Sequence, residues 1–174
     1  MSVLLIGLDD DVGAAVIEHL VRQGDEVRVV ENHPNRASRW RGFGAYVARG
    51  DDTDADLVMR AATNCRTIVA LGPAAAGVRL DAAVDGAGLA GVERVIIGAP
   101  AIADTARARV RRAGLQFVLL TWGKRRPMRG APVAPADIAA AVDAADDLSG
   151  EPALDLDLCD RGSWAALGLR PRAD

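Results

Sequence analysis

A chain of 174 residues, half of them hydrophobic, is long enough for one domain with a real core, and aromatics at 3% leave that core to Ala, Val, Leu and Ile. The formal net charge of −3 gives no general attraction to nucleic acid or to an anionic membrane, and no apolar run reaches the length of a bilayer span, so neither partner is expected. Met1 to Gly7 lacks a basic region followed by a long apolar stretch, and the expected location is cytoplasmic.

Ser2 to Ile6 is a short apolar run ending at Gly7, after which Val16, Ile17, Leu20 and Val21 recur at helical spacing until Gly24. Glu26 to Val30 alternates as a strand does, and Ala45 to Ala48 begins another that stops at Gly50 and Asp51. Thr53, with Asp56 three positions on, makes an approximate capping box for a helix through Leu57, Val58 and Met59. Thr67 to Leu71 is a buried strand closed by Gly72 and Pro73, and an Ala-rich helix runs around Leu80 to Leu89. Strands at Val92 to Ile97 and Leu115 to Leu120 flank a basic helix from Asp104 to Arg112. Pro135 to Leu148 reads as a long helix and Ala153 to Leu158 as a final strand. Strands that read as continuous apolar runs and alternate with helices predict an α/β fold, a doubly wound, mainly parallel sheet of about seven strands with helices on both faces. There is no internal repeat or dividing linker, so one domain is expected, its region after Leu120 short. Cys65 and Cys159 are far apart with no metal-ligand spacing and read as reduced thiols; no metal site is expected.

The turn after the first strand is Gly7-Leu8-Asp9-Asp10-Asp11-Val12-Gly13. A dinucleotide-binding fold needs glycine there, because backbone must approach the pyrophosphate and the next helix must pack closely on the sheet. Gly7 and Gly13 have the outer spacing of the G-x-x-G-x-x-G turn of atypical short-chain dehydrogenase/reductases, including the NmrA-like group, with Asp10 in place of the middle glycine. Further segments carry the resemblance: Val27 to Glu31, Gly50 to Asp54, Leu71-Gly72-Pro73, Gly91 to Ile96 and Gly114 to Leu120. Together they cover about Ser2 to Leu158 and imply a Rossmann-type, NAD(P)-binding domain. The resemblance implies that Gly7, Asp10, Val12 and Gly13 lie against the pyrophosphate. Glu31 would meet the ribose hydroxyls, Asp51 and Asp52 the adenine end, and Leu71 and Gly72 would pass under the nicotinamide ribose. Glu31 to Thr53 also resembles the nucleotide-sensing domain of potassium-transport regulators. The G-x-G-x-x-G spacing usual there is absent, and Gly114 to Leu120 is more similar to the dehydrogenase group.

Reductases of the resembling family use a tyrosine proton donor with a lysine four residues later. Here the one tyrosine is Tyr46, in a predicted strand, and the one lysine is Lys124, so the local motif is absent and no catalytic residue is assigned. Asp9, Asp10 and Asp11 compete with a phosphate for the helix N-terminus or cap it, and weak or absent NAD(P) binding is expected. Glu31, an acid about 20 residues beyond the turn, favours NAD over NADP, although Arg36 and Arg39 are placed to reach a phosphate. His19 and His33 show no paired acid in the sequence and read as surface residues. Trp122 reads as a gap-filler, and Arg107, Arg109, Arg111 and Arg112 as a solvated basic face. The expected role is binding, sensing or regulation by a degenerate NAD(P)-binding-fold protein. The alternatives are an enzyme using the same cleft, through Asp10, Asp104, Thr105 and His33, and a non-catalytic subunit. A homo-oligomer is expected, with a dimer favoured.

Overall fold

The computed structural model describes residues 2–123, 133–150 and 153–169, with the Asp10 side chain and Lys124 outside the described part. The elements alternate in chain order: β1 (Ser2–Ile6), α1 (Asp10–Gln23), β2 (Glu26–Glu31), α2 (Pro34–Gly42), β3 (Tyr46–Arg49), α3 (Ala55–Ala62) and β4 (Thr67–Leu71). After a 3-10 turn, Gly72–Ala75, come α4 (Gly77–Ala90), β5 (Arg94–Ala99), α5 (Asp104–Arg112), β6 (Gln116–Thr121), α6 (Pro135–Asp146), β7 (Ala153–Asp157) and α7 (Arg161–Ala166). The strands form one sheet in the order β3-β2-β1-β4-β5-β6-β7. Every pairing is parallel, with Leu5 beside Val29 on one side and Val69 on the other. This is the expected Rossmann-like, doubly wound sheet, and the strand order reverses between β1 and β4.

Side chains along each strand point alternately to two separate cores, because the strand period is two. Val3 and Leu5 face a core built with Val16, Ile17 and Leu20 of α1, Trp40 of α2, Val142 of α6 and Trp164 of α7. Leu4 and Ile6 face the other, with Val58 of α3, Leu80 and Ala83 of α4, and Val110 of α5. Small residues allow α1 to lie against α6 and α3 against α4.

Three local departures have clear causes. Helix α2 gives no periodic signal because only Ala37 and Trp40 of its residues are buried. Thr53 does not cap α3. Its N–H is taken by Asp51 at 2.9 Å, and the cap is Asp54, whose Oδ1 accepts from Asp56 and Leu57. Val92 closes α4 rather than opening β5: with Gly91 left-handed, Val92 N–H bonds to Ala87 O and Gly91 N–H to Gly88 O, a Schellman ending.

The N-terminal ends of β4 and β5 clasp the C-terminus of α6. Arg94, 6% exposed, donates to the carbonyls of Ala145 at 2.8 Å and Leu148 at 2.7 Å, to that of Asp146, and to Gln116 Oε1 at 3.1 Å. Burial draws its pKa down, and Asp146 opposes the shift. Arg66 and Thr67 both bond the buried Asp146 carboxylate. Cationic donors therefore meet the negative end of the helix dipole.

Cys65 is buried and Cys159 exposed. Burial pushes the Cys65 thiol up, against its contact with Ser2, so little of it is thiolate. A thiol-reactive dye at neutral pH is expected to modify Cys159 quickly in the native protein and Cys65 only on unfolding. Rapid native labelling of both would contradict the packing of Ser2 over Cys65.

Candidate functional site

In a parallel sheet the loops after the strands meet at the C-terminal edge, and the crevice where the order reverses is the ligand position of such folds. Here that crevice lies between the loops after β1 and β4. Gly7 takes φ +66, and a Cβ on it would come within 2.3 Å of Ala74 Cβ and 2.6 Å of Leu71 O, so the first turn touches the 3-10 turn directly. Gly13 lies within α1, where a Cβ would stand 2.8 Å from Leu8 Cβ and 3.3 Å from Trp40 Cη2. Its bareness lets the Trp40 ring pack under the first turn.

The N-terminus of α1 already carries a side-chain cap. Asp9 is the N-cap, and its Oδ1 accepts from Val12 N at 2.9 Å. The N–H assigned by resemblance to a pyrophosphate thus serves an internal carboxylate, and a phosphate placed there meets a negative charge.

Glu31, at the end of β2, is 9% exposed. Its Oε1 accepts from His33 N at 2.9 Å, while Oε2 lies 3.3 Å from Trp40 Nε1 and 3.2 Å from Arg36 Nε. Both oxygens expected to meet ribose hydroxyls are engaged within the protein. Arg36 reaches across from α2 and also donates to the Leu8 carbonyl, joining the end of β2 to the first turn.

Beyond β3, Asp51 accepts from Thr53, whose backbone hydrogen bond holds its carboxyl below the usual range. Asp52 pairs with Arg79 of α4 at 2.7 Å, which pushes the Arg79 pKa up. Asp52 and Arg79 border a small cavity of about 100 Å³, whose lining does not include Asp51. It is lined by Gly7 and Leu8, by Val30, Glu31 and Asn32 at the end of β2, by Arg36, by Gly50 and Asp52 after β3, and by Pro73 and Arg79. Of the expected site residues, Gly7, Glu31 and Asp52 converge on it. Asp10 begins α1, its side chain outside the described part; Val12 and Gly13 lie within α1. Leu71 is buried in the core and Gly72 opens the 3-10 turn. Arg79 carried no signal in sequence, since an arginine early in an Ala-rich helix looks like any solvated one. An open depression of about 410 Å³ lies instead along edge strand β3, away from the strand ends.

The other chemical candidates do not join this cavity. His33 follows β2 and Asp104 and Thr105 follow β5; two strands separate them, so they are about 14 Å apart at the sheet edge. His19 does have an acid partner, Asp143 of α6 at 2.9 Å, which the sequence did not reveal because the two are joined only by helix packing. The basic face of α5 is not simply solvated: Arg109 pairs with Asp81 and Asp85 of α4, and Arg107 with Asp155 of β7. Trp122 is half-buried and covers Gly98, filling a gap as expected. Among the described residues no group of three acids, histidines or cysteines could hold a metal, and no helix is long and apolar enough to cross a membrane.

The sequence model of the TrkA-N domain matches residues 3–120, from β1 through β6. The chain belongs to the TrkA-N domain family. The glycine spacing that set the dehydrogenase-like resemblance above the potassium-regulator one does not keep the chain out of the TrkA-N domains, because both share this strand, turn and helix frame. No curated protein sequence matches the chain. Solved structures share the fold at low identity. They include a Citrobacter triphenylmethane reductase complexed with NADP(H), with 15% identity over 91% of this chain and 70% of that one, at a TM-score of 0.71. The Escherichia coli quinone oxidoreductase QOR2 complexed with NADPH shares 18% over 90% and 68%, at 0.73. ChuY, an anaerobilin reductase of Escherichia coli O157:H7, shares 18% over 100% of this chain and 99% of its own, at 0.67. At such identities the TrkA-N domain shares their fold.

Proposed function

We propose that this TrkA-N domain is a nucleotide-responsive binding or regulatory module of the NAD(P)-binding fold, without redox turnover of its own. Its ligand is the adenosine end of an NAD(P)-type dinucleotide, entering over Gly7 between Glu31 and Asp52, with Asp51 beside the adenine. Solved structures of the same fold that hold NADP(H) or NADPH support this ligand class. The observation that carries the reading is the double commitment of the site: Asp9 holds the Val12 N–H and Arg36 holds Glu31. A cavity of about 100 Å³ is small for an adenosine, so binding is weak and coupled to movement of the side chains that line it. The absent Tyr-x-x-x-Lys motif supports the lack of turnover. The NAD preference expected from Glu31 requires carboxylate oxygens free for ribose hydroxyls; with both engaged, the choice of dinucleotide passes to Arg36.

Calorimetry with NAD, NADH, NADP and NADPH tests the reading, and affinities weaker than micromolar are expected for the unaltered protein. Asp9→Gly is expected to tighten dinucleotide binding about tenfold or more, because two unit charges near 5 Å repel by roughly 1 kcal/mol in water and more in a cleft. The fold should survive, since glycine at an N-cap costs only a few tenths of a kcal/mol relative to aspartate. Micromolar affinity in the unaltered protein, or oxidation of NADPH with a panel of carbonyl compounds, would overturn the proposal.

A further inference from the structure

We propose that β3 is the seam of a two-fold dimer of this chain, in which two copies pair edge to edge and the Tyr46 of each fills a hollow in the other. The inference is independent of the nucleotide reading. Strand β3 is the outer strand of the sheet, and its free side offers backbone groups to a further strand. Gly50 N–H bonds inward to Glu31 O at 3.5 Å. Because the strand period is two, the N–H and C=O of Val47 and Arg49 point outward, away from β2.

A two-fold axis perpendicular to the sheet at Val47 sets two β3 strands antiparallel. Each Val47 then donates to and accepts from its counterpart, a hydrogen-bonded pair. Tyr46 falls opposite the partner's Ala48, and Arg49 opposite the partner's Ala45, so no charge meets a like charge directly across the seam. Tyr46 shares a face with Ala48, which packs against the core under α3 and α4. It is 68% exposed, a large ring left without cover on one copy. On the same edge lies the depression of about 410 Å³, bordered by Ala48, Ala61, Arg28 and Arg41. Opposed residues have Cβ atoms about 4.5–5.5 Å apart, so the ring of one copy reaches over Ala48 and Ala61 of the other. Arg28 is already bonded to Glu26 and to the carbonyls of Ala61 and Thr63. Exposed Arg41 is left to meet the aromatic face.

The other edge does not suit such a pairing. In β7 a two-fold at Asp155 or Leu156 sets aspartate against aspartate, and like charges directly opposed destabilise a pair. The β3 seam is nonetheless short, with four residues a side. Two tyrosines contribute about 300–500 Å² of buried surface. The whole falls below the roughly 1,200 Å² of stable complexes, and a dissociation constant of order 10 µM is expected. Arg41 and Arg49 of both copies gather near the seam, and physiological salt screens their repulsion.

Sedimentation velocity on the full chain, from about 1 to 500 µM at physiological salt, is expected to show monomer passing to dimer by mass action. Tyr46→Ala should weaken the dimer about tenfold or more. Its circular dichroism and thermal midpoint at low concentration should match the unaltered protein, since an exposed ring adds little to the fold. A second variant, Val47→Cys with Cys159→Ser, places opposed Cα atoms about 5.5 Å apart, within disulfide reach. Oxidised glutathione should link it into a covalent dimer, and adding Tyr46→Ala should slow that linkage about tenfold. A monomer throughout the range, a dimer indifferent to Tyr46→Ala, or no linkage through Val47→Cys would each overturn the seam. Nucleotide affinity is read separately by calorimetry, so failure of the dimer and failure of the nucleotide reading are distinguishable.

Discussion

Trp40→Ala is expected to remove about 3–5 kcal/mol of folding stability, read as a lower denaturant midpoint with little change in slope. Trp40 has no exposed surface and is among the largest fully buried side chains. Its ring lies against the bare face of Gly13 and 6.2 Å from the Phe43 ring, with Arg39 stacked above it at 5.4 Å. Truncation leaves a cavity between α1, α2 and the sheet that these elements cannot close, because the sheet fixes the strands on either side. It also removes the Nε1 donor from Glu31, a buried carboxylate that then rests on His33 N–H and Arg36. Trp40→Phe keeps most of the packing and loses the hydrogen bond, and should cost about 1–3 kcal/mol. A loss below about 1 kcal/mol for the alanine variant would mean that α2 is not anchored by this ring.

The second large effect is expected at the opposite edge of the sheet, where Arg94→Ala should cost about 3 kcal/mol and lower Tm by roughly 10 °C. Removing the guanidinium leaves the carbonyls of Ala145, Asp146 and Leu148 without this donor at the end of α6. Each buried acceptor left unpaired costs about 1–3 kcal/mol, less whatever water can enter. Arg94→Lys keeps the charge but reaches fewer of these acceptors, since one ammonium does not reproduce the planar fork; an intermediate loss is expected. Ligand affinities should not change in folded Arg94→Lys, because Arg94 begins β5 and the ligand cleft is at the strands' other ends. A change in nucleotide affinity would show that α6 couples the two edges.

Much of the fold is legible in the sequence. The runs at Ser2–Ile6, Thr67–Leu71 and Gln116–Thr121 are buried on both faces, and such strands announce themselves as continuous apolar stretches. Helix α5 was bounded correctly because its neighbours are strands and its own residues alternate between buried Ala106 and Val110 and exposed arginines. Helices α2 and α7 leave no sequence signal, since two buried residues apiece make no period. The identity of the cap on α1 was open among three adjacent aspartates, and only the backbone direction at Asp9 selects it.

For the cleft, sequence alone determined that glycines frame the first turn, that Glu31 and Asp52 stand at neighbouring strand ends, and that the local tyrosine–lysine motif is missing. These follow from spacing, because a strand followed by a turn puts its last residues at the sheet edge wherever the rest of the chain goes. Tertiary structure alone decided what those groups are bonded to. Arg36 on Glu31, Arg79 on Asp52 and His19 on Asp143 join residues that are 5, 27 and 124 positions apart. Such pairs depend on how whole helices settle on the sheet, through many small apolar contacts that carry no mark in the charged residues themselves. That is why the acid that stands alone in the sequence at the end of β2 is, once folded, paired with Arg36.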